Sequence, residues 1–558
     1  MVSSQAVAGP KTDDGQLKRA VGFYGLMFIS LGSIIGSGWL LGALNAAQAA
    51  GPASILSWLL AAAMLAVLAL IHAELGSAYP VAGGTARFPL FSHGTFTGFI
   101  AGWTGWLQAV AIAPIEVEES LAYLDNISWV RDNLNLLHSD GTLTVTGLGW
   151  ATLLMVIFTV VNSLGVKLLS ESNSWVVIWK IAVPLLAVFV LIPTSFHGGN
   201  FSAGGGFAPF GAHGVFAALP LGVVFALQGF EQAIQLGGEA RNPKRDMSRA
   251  VLTAVAIGAL IYILLEIAFI GSLDPANLVH GWANPIAKGD FGPYATLAFA
   301  AGAGWLAYLL YADAFISPAG TGLVYLATSA RLTYALGRDR LLPRVLGKVN
   351  VRGVPMWSVL LAFLVGEISF LPFPSWHQLV SVITSAIAVM YAFAPVALAA
   401  LRKRDADRPR PYRAPVAKLL APTGFVSANL IVYWGGYDTT WKILVAIVVG
   451  LVVFAVSYAT TPAKKRHPLE PRAAIWTVPW LLGMGVIGYL GRYGDTSRNI
   501  LPAWIDLLVV IGFALVIFYW AVSCALTTEK VQTAVASEEG ELATTGSLVP
   551  GAPSTPEP

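Results

Sequence analysis

Long apolar runs alternate with short polar loops from about residue 20 to residue 525, and this alternation leaves few folds open to the chain. A helix needs about 20 mostly apolar residues to cross a bilayer, and about fourteen runs qualify. They cover roughly 20–49, 52–78, 94–123, 147–166, 174–193, 213–237, 248–272, 301–329, 355–372, 378–401, 417–437, 440–460, 473–490 and 502–525. Of the 558 residues, 56% are hydrophobic and only 11% are charged, whereas soluble proteins carry roughly 25% charged residues. In lipid only helices and closed barrels satisfy their own backbone groups, and runs of this length are helices. The expected fold is an all-α polytopic membrane protein.

Loop charge assigns the sides. Arg241, Lys244, Arg245 and Arg249 follow span 6, and Arg331, Arg338, Arg340, Arg344, Lys348 and Arg352 follow span 8. Arg402, Lys403, Arg404, Arg408, Arg410, Arg413 and Lys418 follow span 10, and Lys464, Lys465, Arg466 and Arg472 follow span 12. The loops between hold few cations: Arg131, Lys288, Lys442, Arg492 and Arg498. The positive-inside rule then puts the basic loops and both termini in the cytoplasm and the chain in the cell membrane. Basic loops that alternate this regularly with apolar runs belong to a lipid bilayer rather than to nucleic acid, and the net charge of +3 adds nothing to a nucleic-acid reading.

The remaining features exclude other classes. The first nineteen residues hold Lys11, Asp13, Asp14, Lys18 and Arg19 and no short apolar core, so a cleaved signal peptide is not expected. Residues 1–17 read as a cytoplasmic tail, and 528–558, rich in Ser, Thr, Glu, Gly and Pro, read as a disordered one. The lone cysteine, Cys524, excludes a disulfide framework and a cysteine metal site. His72 stands alone in span 2 and reads as a structural histidine. Neither a nucleophile elbow nor metal-ligand spacing is present, so no enzyme, metal or cofactor is expected.

Two spans are interrupted. Span 1 carries "GSIIGSGW", with Gly32, Ser33, Ile35, Gly36, Ser37 and Gly38 at its middle. Glycine and serine are poor helix formers there. Span 6 carries Gly229 between Gln228 and Glu231 in "VFALQGFEQA". The sites correspond if spans 1–5 and 6–10 are halves of a repeat, inverted because each half has an odd number of spans. Such a pair points to a secondary transporter's substrate site. The half-helix that begins near Ser37 exposes free N–H groups, which suit a carboxylate. The break in span 6 frees carbonyls near Phe225, Ala226 and Leu227, which suit an ammonium. Together they fit the common part of an α-amino acid. The competing reading of both glycine sites is close helix packing.

Ionisable residues at membrane depth are site candidates by default, since each costs at least about 2.5–3.5 kcal/mol to insert. Lys180 lies in span 5, Asp313 in span 8, Glu231 in span 6, Glu266 in span 7 and Glu367 in span 9; Glu116, Glu118 and Glu119 lie in span 3. The Lys180 ammonium can tether carbonyls of span 1 to span 8, as a bound sodium ion would, and exchange a proton; the alternative is a lysine that snorkels to an interface. Glu116 and Asp313 are candidate proton acceptors or, alternatively, packing salt bridges. Glu118 and Glu119 are expected on other helix faces, and Glu74 reads as a gate or cap. Pro318 and Gly320 suggest a local irregularity in span 8, with Ser317 satisfying the freed carbonyl. Trp103, Trp150, Trp376 and Trp441 read as an interfacial belt.

"GSIIGSGW", "FALQGFEQAIQLGGEARNPKRDMSRA", "SARLTYALGRDRLLPRVLGKVNVRGVP" and "AELGSAYPVAGG" resemble the motifs of amino acid–polyamine–organocation superfamily permeases across about residues 18–460. Within that superfamily, "GPASILSWLL", "FPLFSHG", "GFAPFG", "GWLAYLLYADAFISPAGTG", "LPFPSW" and "VYWGGY" are similar to bacterial aspartate–proton symporters. The resemblance implies a LeuT-like 5+5 inverted repeat, with a core over 18–405 (halves about 18–195 and 205–405) and about four peripheral helices over 406–527. It implies proton-coupled amino acid uptake. It assigns Ser33, Ile35, Gly36, Ser37 and Gly38 to the substrate carboxylate, Phe225, Ala226 and Leu227 to its ammonium, and Lys180 to the sodium position. No second cation at membrane depth is at hand for an acidic side chain, and an ionised Glu231 does not suit one. Amino acid exchange, neutral amino acid uptake and a membrane amino acid sensor are the alternatives.

Overall fold

A computed structural model of the chain describes residues 21–546, apart from 82, 165, 287–289, 291, 351–353 and 372–374. The N-terminal tail expected over 1–17 lies outside the described residues.

The elements are helical, with two isolated β-bridges besides them among the described residues. In chain order they are α1 Phe23–Ile34, α2 Gly38–Ala50, α3 Ser54–Ala78, α4 Gly84–His93, α5 Thr95–Asp125, α6 Ser128–Asn133, α7 Val145–Leu164 and α8 Val166–Ser195. There follow α9 Gly211–Ala217, α10 Val224–Leu227, α11 Glu231–Gln235, α12 Pro243–Ser272, α13 Pro293–Ala300, α14 Gly304–Arg338, α15 Met356–Ser369 and α16 Trp376–Arg404. The chain continues with α17 Ala417–Trp434, α18 Tyr437–Thr460, α19 Pro471–Ala474, α20 Thr477–Leu490, α21 Ile505–Ser523 and α22 Thr528–Gly546. Ten helical stretches among the described residues are long and apolar enough to cross a membrane. The interrupted spans fall among the shorter apolar helices, Phe23–Ile34 and Gly211–Leu227, because a break halves the usable length.

Both expected breaks are present. α1 ends at Ile34 and α2 begins at Gly38, with Ile35 out of helical conformation at φ −92°, ψ 87°. α10 ends at Leu227 and α11 begins at Glu231; Gln228 is extended, and Gly229 holds φ +113°, a conformation that disfavours any L side chain. Span 6 is irregular a second time, since Gly222 at φ +131° interrupts the π-helical segment Leu219–Val223.

The two breaks cross each other reciprocally. A β-carbon on Gly38, where α2 starts, would stand 2.7 Å from Ala226 Cα at the end of α10. One on Gly229, just before α11, would stand 2.7 Å from the Ser33 carbonyl carbon at the end of α1. The Ser30 hydroxyl donates to the Phe230 carbonyl (3.0 Å), which fastens the same crossing. Small residues here let two backbones touch, as they do at helix crossings in lipid. The packing reading and the site reading of these glycines therefore both apply, at different residues. Gly32 packs on Val177 of α8, whereas Gly36 faces polar groups, described below.

Several expectations are corrected by the fold. α14 runs unbroken through Pro318. A proline deprives the carbonyl four residues back of its donor, and the Ala314 carbonyl takes a hydrogen bond from Ser120 of α5 (3.0 Å) instead of from Ser317, whose hydroxyl donates to Asp313 (2.6 Å). Trp103 and Trp376 are buried rather than interfacial: Trp103 donates to the Ala446 carbonyl, and Trp376 belongs to the site. Glu119 is buried and shares a face of α5 with Glu116, because residues three apart on a helix are neighbours. The tail expected to be disordered from 528 forms α22 as far as Gly546. Val531 and Val535 bury its apolar side, and ion pairs from Lys530 to Glu470 (2.8 Å) and from Glu538 to Arg87 (3.2 Å) fix it. Residues 547–558 of that tail lie outside the described residues.

Glu74 acts as the cap expected of it. Its buried carboxylate takes the guanidinium of Arg402 through two nitrogens, approaches Arg410 (3.5 Å) and accepts the Ala414 N–H (2.7 Å). The end of α3 is thereby fastened to the end of α16 and the basic segment after it. His72 is structural as expected, bonded to the Leu68 carbonyl (2.8 Å) between Phe230 and Tyr391.

Candidate functional site

The break in span 1 does expose a helix N-terminus, and the protein's own carboxylate sits on it. The Ser37 N–H donates to Glu116 Oε2 at 2.8 Å. The other oxygen lies against Gly36, where a β-carbon would come within 2.7 Å of Glu116 Oε1 and 3.0 Å of Thr321 Oγ1. Glycine at 36 is what lets α5 and α14 bring these two side chains onto the backbone. The Ser37 hydroxyl accepts from Trp376 Nε1 (3.0 Å), and Trp376 meets Phe225 edge to face at 5.9 Å.

Lys180 lies behind the break. Its ammonium donates to the Gly32 carbonyl (2.7 Å) and to Thr321 Oγ1 (2.5 Å), so it joins α1 to α14 from α8. It is 1% exposed, which rules out a snorkelling lysine. Its charged neighbours are Glu116 and Asp313. On the other side of the break, Tyr262 of α12 donates to the Ile34 carbonyl (2.8 Å), one of the acceptors that a helix end leaves unpaired.

A small cavity, with room for about one water molecule, lies between the two breaks. Ser33, Gly36, Gly38, Glu116 and Phe225 line it, all of them site candidates from the sequence. Gln228, Thr321, Tyr325, Ile34 and Ile112 complete the wall. The Ser33 hydroxyl is buried without a hydrogen-bond partner, an unmet polar group of the kind a ligand satisfies. Gln108 Nε2 donates to Gln228 Oε1 (3.3 Å), which adds a pair of neutral amides at one edge.

The other candidates hold the walls in place. Ile35 and Ser37 are fully buried behind the cavity, and Gly229 fills the crossing against Ser33. Ala226 and Leu227 lie at the end of α10 just beyond the lining, where the Phe225 carbonyl already accepts the Gln228 N–H (3.3 Å). Asp313 accepts from Trp179 Nε1 (2.7 Å), Trp39 Nε1 (3.2 Å) and Ser317 (2.6 Å). Glu231 accepts the Gly229 N–H (3.0 Å), the Tyr391 hydroxyl (2.6 Å) and the Tyr325 hydroxyl (3.4 Å). Each of these carboxyls is held by three donors. Glu266 likewise accepts from Ser54 and from Trp58 Nε1 (2.9 Å), tying α12 to α3.

Sequence reasoning did not place Thr321, Tyr262, Tyr325, Gln108 or Trp376 at the site. Trp376 and Thr321 carried a signal, since they stand in "LPFPSW" and "GWLAYLLYADAFISPAGTG". The rest are ordinary polar residues on helices distant in sequence.

Residues 21–454 match the amino acid permease family. The chain is 37% identical to the glutamate/serine transporter AimA of Bacillus subtilis (strain 168), over 93% of its own length and 96% of that protein. It is 33% identical to the aspartate-proton symporter of the same organism, over 91% and 96%. It is 27% identical to the branched-chain amino acid permease BcaP of that organism, over 81% and 96%. The family match takes in both helix breaks and the lysine behind them, and the chain belongs to the amino acid permease family of multi-pass membrane transporters.

Proposed function

We infer that this permease imports an amino acid by proton symport through alternating access. The observation that carries the reading is the Glu116 carboxylate on the Ser37 N–H, the place suited to a substrate carboxylate. Two anions cannot share one helix N-terminus without strong repulsion. A proton on Glu116 removes the competing charge and frees the N–H for the substrate. Substrate and proton then favour the same loaded state, which is the condition for coupling. Lys180, bonded to Gly32 and Thr321, holds the break and offers a second exchangeable proton beside Glu116. Asp313 and Glu231, each held by three donors, act mainly by fixing the helices around the two breaks.

The reciprocal crossing of the breaks supports two inverted five-span halves over 18–405, fourteen spans in all, with 406–527 peripheral and both termini cytoplasmic in the cell membrane. Spans 1, 2, 6 and 7 would rock against 3, 4, 8 and 9 around the cavity. The substrate's ammonium would meet the carbonyl end of α10. Its side chain would face Gln108, Gln228 and Tyr325, neutral polar groups that favour a small polar or acidic amino acid, in keeping with the substrates named for the two nearer relatives above.

The test is uptake of labelled L-glutamate, L-aspartate and L-serine into liposomes that hold the purified full chain. A gradient of one pH unit, acid outside, supports about tenfold accumulation per proton. Accumulation driven by that gradient is expected. Uptake that ignores the gradient and proceeds only against preloaded substrate would make the protein an exchanger. Binding with neither accumulation nor counterflow would make it a sensor.

A further inference from the structure

Glu116, Glu119 and Tyr123 stand at i, i+3 and i+7 on α5, one face of one helix. At 1.5 Å per residue the last two lie about 4.5 and 10.5 Å from Glu116 along the axis, toward the end that carries Asp125. All three are buried, at 1%, 0% and 0% exposure. Neither carboxyl oxygen of Glu119 has a hydrogen-bond partner among the described residues. The charged groups it faces are carboxyls: Glu116 on its own helix and Asp313 on α14. Lys180, the cation of this region, is committed across the break to Gly32 and Thr321.

An unpaired carboxylate in an apolar interior costs several kcal/mol, and more beside two others. A neutral acid at Glu119 avoids that cost, and it has a proton to give and a lone pair to take one. Beyond it the Tyr123 hydroxyl faces the backbone of Tyr294 without a hydrogen bond of normal geometry, near Asp290. The Tyr123 ring meets that of Tyr311 at 6.3 Å, and the Tyr311 hydroxyl accepts from Asn126 (3.2 Å), itself bonded to exposed Arg131 (3.0 Å). Polar groups thus stand at intervals between the surface at Arg131 and the break at Gly36, and Glu119 lies in the turn of α5 between Tyr123 and Glu116.

We propose that Glu119 is a second proton-binding residue, which loads Glu116 from the side at which α5 ends. The inference rests on the proton-symport reading and extends it. Glu119 takes a proton arriving by way of Tyr123 and passes its own to the Glu116 carboxylate, so no net charge is left on the pair. Glu118, one residue earlier, points away from this row and takes no part.

The experiment uses the full chain in liposomes and whichever of L-glutamate, L-aspartate or L-serine the wild type accumulates. Glu119→Gln should lose the stimulation by an acid-outside gradient while counterflow with preloaded substrate continues at the wild-type rate. Glu118→Gln should keep both. Stimulation of Glu119→Gln equal to wild type overturns the proposal and leaves symport intact. A wild type that ignores the gradient overturns the symport reading and this inference with it. Should Glu119→Gln lose counterflow as well, Tyr123→Phe decides: slower gradient-driven uptake with normal counterflow supports the route, and an unchanged gradient response overturns it.

Discussion

Lys180→Ala abolishes uptake while the protein still reaches the membrane. The ammonium holds the Gly32 carbonyl at 2.7 Å and Thr321 at 2.5 Å, so it joins the end of α1 to α14 beside the longer direct bond from Thr321 to the same carbonyl (3.3 Å). Hydrogen bonds from a charged donor contribute about 1.5–3 kcal/mol each. The substitution also strips Glu116 and Asp313 of their neighbouring cation. The two hydrogen bonds together contribute about 3–6 kcal/mol. Even the lower figure corresponds to more than about a hundredfold in any equilibrium that depends on the arrangement. Uptake of labelled substrate, together with the amount of protein in the membrane fraction, checks this. Normal uptake by Lys180→Ala would remove Lys180 from the mechanism.

Gly36→Leu eliminates substrate binding. A β-carbon at this position meets Glu116 Oε1 at 2.7 Å and Thr321 Oγ1 at 3.0 Å, and Gly36 lines the cavity, so a leucine side chain crowds it. Overpacking of this kind costs about 1–3 kcal/mol in stability. The larger effect is on the ligand, whose place is filled. A ligand that binds the folded state raises its melting temperature. In a thermal-shift assay the wild type should be stabilised by its amino acid, and Gly36→Leu, though folded, should show no shift. Undiminished stabilisation would return Gly36 to a packing role like that of Gly32, which rests on Val177.

The helix breaks were legible because two glycine-interrupted spans stand at matching positions and ionisable residues accompany them at membrane depth. Gly36 and Gly229 weaken a helix wherever they stand, and Lys180 and Glu116 are costly in lipid without a task. Their partners were not legible. Nothing local to Ser37 says that its N–H will be taken by Glu116, 79 residues away. Trp376 has the look of an interfacial tryptophan until the fold brings it to Ser37. Pro318 signals a missing donor but not that Ser120 on another helix replaces it. The tail misled by composition: Ser, Thr and Glu between 528 and 546 outweigh Val531 and Val535, yet those two valines find an apolar surface that the sequence does not announce. Local chemistry identified positions under constraint, and long-range packing decided what satisfied them.

The central claim is that Glu116 and the substrate carboxylate compete for one helix N-terminus and that a proton decides between them. Substrate affinity against pH, in wild type and in Glu116→Gln, tests it most directly, at pH values above the titration of the substrate's own carboxyl groups. In the wild type, acidification neutralises the competitor, so affinity should tighten as pH falls, by at most about tenfold per unit for one proton. Glutamine at 116 never carries charge, so that variant should bind with an affinity independent of pH and close to the wild type's at low pH. A Glu116→Gln protein whose affinity keeps the wild-type slope with pH would contradict the account.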